Sequence, residues 1–99
     1  MATRLHRTIW SLDGVRGVLR TASRSAPLVT VLVEWDEPDR CWIGAVERIG
    51  KRVLSLREVD PGGRWKRHRS KFDLEDVTRV DWGDAYNEAL LLVAGPPPR

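Results

Sequence analysis

The chain has little of what most catalytic and metal sites are made from. Its 99 residues include one cysteine, two histidines and one methionine. A lone cysteine, Cys41, excludes an internal disulfide, so a reducing home, the cytoplasm, is expected. Cys41 itself reads as a small hydrophobe of the core or its margin. His6, His68 and Cys41 are too few and too scattered for a three- or four-ligand metal site. Nor does any of them stand beside a partner as a nucleophile–base pair. A non-enzymatic chain without a cofactor is therefore expected. No run approaches the ~18 apolar residues of a membrane span, so no membrane partner is expected. The opening "MATRLHRTIWSLDG" has no apolar core of the kind a secretory signal carries.

What is present describes one small globular domain. The chain is 41% hydrophobic and 31% charged, the balance of a packed domain rather than a disordered one. Net charge is +3, which suits a polyanion without requiring one. The charges come in blocks. Arg4, Arg7, Arg16, Arg20 and Arg24 face one acid, Asp13, in the first 27 residues. "EWDEPD" (34–39) is acidic. "GGRWKRHRSK" (62–71) carries Arg64, Lys66, Arg67, Arg69 and Lys71 and no acid.

Periodicity supplies the elements. Residues 1–13 form an arm of ambiguous pattern. From Asp13, a natural N-cap, Val15, Val18, Leu19 and Ala22 make one apolar helical stripe. Arg16, Arg20 and Arg24 make a basic stripe on another face. Pro27 closes this helix. From Leu28 the period becomes two. Strands are expected at 28–35, 40–49, 52–59, 64–74 and 76–82, separated by turn residues such as "DPGG". Gly44 in mid-strand marks a bend or a close backbone approach. Asp84 caps a closing helix with Tyr86, Ala89, Leu90 and Val93 on one stripe, and Gly95 stops it. Residues 96–99 are a proline-rich tail. The expected core is Val29, Val31, Val33, Ile43, Val46, Leu54, Leu56, Phe72, Leu74, Val80, Tyr86 and Leu90, with Trp82 under the closing helix. Five short antiparallel strands in one domain (14–95) favour a closed or nearly closed barrel, because closure removes exposed edges.

That order resembles the Sm-like fold over residues 14–82. "VTVLVEW" followed by "CWIGAVERIGKRVLSL" is similar to the first Sm motif, with Gly44 at its internal glycine. "SKFDLEDVTRV" is similar to the closing stretch of WYL domains, with Phe72, Leu74, Val77 and Val80 at the apolar positions. The resemblance implies a mainly β, five-stranded, bent antiparallel Sm-like barrel with a helix at each end. The RNA-binding motifs of the bacterial host-factor chaperone and of eukaryotic Sm proteins have no counterpart here, so no RNA-contacting residue carries over.

The basic run supports two readings. In one, Arg64, Lys66, Arg67, Arg69 and Lys71, with Arg16, Arg20 and Arg24, hold the phosphates of single-stranded RNA or DNA while Trp65 stacks on a base. In the other, Trp65 packs inward and the cations keep an outer strand soluble. The matching functional alternatives are a nucleic-acid-binding barrel and a protein-interaction module that forms a homo-oligomer through strand edges. Glu34, Asp36, Glu37 and Asp39 read as a solvated turn rather than a cation site, since calcium-loop spacing is missing.

Overall fold

A computed structural model describes residues 3–6, 12–33 and 40–98. The chain runs β1 (Thr3–His6), α1 (Leu12–Ser25), β2 (Val29–Leu32), β3 (Cys41–Ile49), β4 (Val53–Val59), β5 (Trp65–Asp73), a 3-10 turn (Leu74–Asp76), β6 (Arg79–Trp82) and α2 (Ala85–Ala94). Five antiparallel strands follow α1 in a single sheet, and β1 adds a sixth beside β6. The spatial order is β1-β6-β2-β3-β4-β5. The arm expected at residues 1–13 thus supplies a strand, pairing Leu5 with Val80.

Among the described strands the sheet does not close, so what is observed of the expected architecture is a single antiparallel sheet with flanking helices. β1 and β5 are its two edges. Curvature is nonetheless strong. Through the ladder, Phe72 stands opposite Leu54 and Leu54 opposite Ile49, seven positions along β3 from Trp42. In a flat sheet that offset is about 23 Å. The Trp42 and Phe72 ring centroids are 5.2 Å apart, edge to face. Two features allow the bend. β3 carries a bulge between Val46 and Arg48, and Gly44 lets the β4 backbone approach so closely that a Cβ there would overlap the Arg57 carbonyl.

One face of the sheet packs on α1. Val15, Leu19 and Ala22 meet Val29, Val31, Leu54, Leu56, Val80 and Trp82 in the main core. The 3-10 turn plugs this layer with Leu74, whose N–H donates to the Arg52 carbonyl at 2.7 Å. It also shortens the strand expected from residue 76. The other face packs on α2 through Leu28, Val59 and Leu90. β2 lies between the two layers and is buried at all four positions.

Several expectations change in detail. Helix α1 begins at Leu12, so Asp13 falls inside its first turn rather than at the cap. Asp84 does cap α2, accepting the Asn87 N–H at 3.2 Å. Gly95 ends it at φ 74°, the left-handed region that glycine tolerates best. Of the expected core, Ile43, Val46 and Phe72 are half-buried, and Tyr86 is 55% exposed. The inner stripe of α2 is instead Asn87, Leu90, Leu91 and Ala94. "AYNEALLLVA" is apolar on nearly every side, so hydrophobic period alone selects no face. Asn87 selects it, donating from Nδ2 to Thr30 Oγ1 at 3.0 Å. Trp82 packs under α1, not α2, because its register partner Val29 faces that layer. Cys41 is exposed, since it opens β3 at the end of the sheet. The acidic turn at 34–39, with Trp35, lies outside the described residues. No helix among the described residues is long and apolar enough to cross a membrane.

Candidate nucleic-acid interface

The basic run folds as the outer strand, and its cations do not act alike. Arg64 precedes β5, where the Asp60 carboxylate accepts its backbone N–H at 3.0 Å. Lys66 Nζ lies 3.5 Å from Glu58 Oε1, and Arg69 Nε lies 2.5 Å from Glu47 Oε1. Glu58 also accepts from the Ser70 hydroxyl. Arg57 reaches across from β4, donating to the carbonyls of Lys66 and Arg67. So Lys66 is tied to an acid on the adjacent β4 and Arg69 to one on β3, two strands away, pairs worth about 0–1 kcal/mol each at such exposure. Arg64, Arg67 and Lys71 are exposed and make no ion pair with a described residue.

Trp65 does not stand among these cations. It is half-buried against the cluster of Leu28, Val59 and Leu90 beneath α2, opposite Val59 in the ladder. Its Nε1 is buried without an acceptor. Trp65→Ala is therefore expected to lower unfolding free energy by roughly 2–3 kcal/mol, somewhat less than a fully buried aromatic. Urea unfolding reads that loss, and nucleic-acid affinity should stay unchanged in the same protein.

The aromatic surface that does adjoin the run is elsewhere. Trp42, Phe72, Val33 and Val53 line a cleft of about 360 Å³ that includes Lys71, Asp73 and Asp76. The Arg40 guanidinium lies 4.9 Å from the Trp42 ring centroid, within cation–π range.

The second expected basic stripe lies on α1. Arg16, Arg20 and Arg24 project from the side away from Val15, Leu19 and Ala22. Arg16 Nη1 donates to the Lys51 carbonyl at 2.7 Å, which docks this stripe on the β3–β4 turn. There Arg16, Arg20, Arg48 and Lys51 surround an open cleft of about 470 Å³, with no carboxylate among its described lining residues. Arg24, in the last turn, is exposed and outside the cleft. Arg48 and Lys51 were not singled out by the sequence. Their signal is "ERIGKR", a tight turn at Gly50 with cations on both sides.

Register joins the two regions. Arg48 pairs with Ser55, and Ser55 with Lys71. This cross-strand row runs by register from the α1 cleft to the outer strand, with Glu47, next to Arg48 on β3, held by Arg57 and Arg69 beside it. The chain matches no family model, no curated protein and no solved structure. Among the described residues no group of histidine, cysteine or carboxylates is arranged to hold a metal ion.

Proposed function

We propose that this chain is a non-enzymatic small β-domain of Sm-like descent that binds single-stranded nucleic acid chiefly through its phosphates. The observation carrying this reading is the cleft of Arg16, Arg20, Arg48 and Lys51, continued through the Arg48–Ser55–Lys71 row. Several like charges lining one cleft create a local positive potential that favours a phosphate chain. Arg67 and Lys71 extend the track, and Lys66 and Arg69 sit at its border. Base contact falls to the Trp42–Phe72 cleft beside Lys71 rather than to Trp65. Fluorescence polarisation with labelled single-stranded RNA and DNA at two salt concentrations tests the proposal. Binding should be clear at low salt and fall steeply as salt rises. No binding at low salt, where the electrostatic attraction is greatest, would leave the cations as a solubility device.

A second reading has its own observation, the open edge at β5. Nine residues of strand, Trp65–Asp73, carry no neighbour on their outer side among the described strands. Such an edge can pair with a second copy. Sedimentation at micromolar concentrations is expected to show a dimer or larger species if that edge is used. A monomer at every concentration would assign the edge cations to keeping it apart.

A further inference from the structure

A second cavity lies on the opposite layer, between the sheet and the first turn of α2. It has a volume of about 520 Å³, within the range of roughly 300–1,000 Å³ typical of small-molecule sites. Leu32, Ile43 and Leu90 give it an apolar wall, and Tyr86 stands at its margin, 55% exposed. The polar groups decide what it would hold.

Its cations are already engaged. Arg79 makes a two-pronged contact with Asp81, Nε to Oδ1 at 3.2 Å and Nη2 to Oδ2 at 3.1 Å. Lys66 is paired with Glu58, and Arg40 lies over Trp42. Two buried acceptors among its described residues are not engaged. Asp84 uses Oδ2 on the Asn87 N–H, while its Oδ1 is buried without a partner. Asn87 is 3% exposed; its Nδ2 is used on Thr30, while its Oδ1 is buried without a partner. Both residues line the cavity, three positions apart on one turn of helix. Buried polar groups are as a rule hydrogen-bonded, so two orphaned acceptors beside one cavity call for a donor from outside the chain. An anion would add a third acceptor with every nearby cation occupied.

We infer that this cavity is a binding site for a compact nitrogen cation, an ammonium or guanidinium group on a short apolar arm. The cationic head would donate to Asp84 and Asn87, and the arm would lie along Ile43 and Leu90. The chemistry is that of a lysine or arginine side chain, or of a free diamine. It does not depend on the nucleic-acid reading: among the described residues the phosphate cleft shares no lining residue with it, and only Trp42 and Lys66 border both this cavity and the rest of that track.

Three probes test it: N-acetyl-arginine methylamide, N-acetyl-lysine methylamide and cadaverine. N-acetyl-norleucine methylamide serves as the uncharged control. Binding is followed by amide chemical shifts in the full chain. Saturable shifts at Thr30, Asn87 and Leu90 are expected at roughly millimolar concentration, the affinity reasonable for so few heavy atoms. A preference for the amino-acid probes over cadaverine would point to a peptide side chain, and the reverse to a free diamine. Asp84→Asn should weaken binding at least about tenfold while the helix survives, because asparagine caps as well as aspartate. A thermal melt of that variant confirms the fold. Equal binding of the norleucine control, unchanged binding in Asp84→Asn, or no saturable shift with any cation would each overturn the inference.

Discussion

Gly44→Ala is expected to destabilise the protein by roughly 3 kcal/mol, the upper end of the usual overpacking cost. A methyl group at this position would overlap the Arg57 carbonyl oxygen and crowd its carbon and the Glu58 Cα. All three are backbone atoms of the paired strand, so no side chain can swing aside. β3 and β4 would have to separate where Gly44 faces Glu58 in the ladder. That is also where the sheet bends enough to bring Trp42 onto Phe72. A change of one methyl group would therefore be felt in the curvature of the whole sheet. Urea unfolding with an unchanged m-value should report the loss. A cost under about 0.5 kcal/mol, the range of an ordinary surface change, would mean that the strands do not approach so closely.

Leu56→Ala is expected to cost about 2–5 kcal/mol, the transfer of its side chain plus the cavity left behind. Leu56 is 0% exposed and lies between Val46 and Ser70 in the ladder, within the layer under α1. Val53, on the same strand, is 38% exposed and points to the opposite side. Val53→Ala is the internal control, with an expected cost within about 0.5 kcal/mol. Equal losses at the two positions would reverse the facing of β4.

The contrast between these residues also explains what could be read in the sequence. Alternation placed Leu54 and Leu56 inward because only one face of β4 is apolar there. Gly44 was legible because glycine in a strand otherwise costs packing, so its presence needs a close neighbour. Asp84 and Gly95 marked the ends of α2 by their own backbone chemistry. Its rotation was not legible, since Tyr86, Leu90 and Val93 compete as an apolar stripe while the deciding contact is Asn87 to Thr30, 57 residues apart. Trp82 was set under the wrong helix for a similar reason. Which layer it joins depends on its pairing with Val29, a long-range fact. β1 escaped because four residues are too few for a period.

The candidate site divides in the same way. The cations of β5 are a local run and were visible. Their link to α1 runs through Arg48 and Lys51, at a hairpin turn that only the fold brings beside Arg16 and Arg20. Local composition also placed Trp65 among the cations, while strand alternation turned it under α2. Asp84 and Asn87 become a paired feature only once α2 lies over the sheet.

The salt dependence of single-strand binding, measured side by side for the wild type and Arg20→Gln/Lys51→Gln, bears most directly on the proposed function. Both replaced side chains line the cleft with Arg16 and Arg48 and neither belongs to the core. Each phosphate contact contributes about 0.7 to the slope of log affinity against log salt on single strands. The double variant should therefore bind more weakly at low salt, with a slope shallower by about 1.4, and unfold at the same urea concentration as the wild type. Parallel slopes for the two proteins would contradict the account, because the cleft would then hold no phosphate.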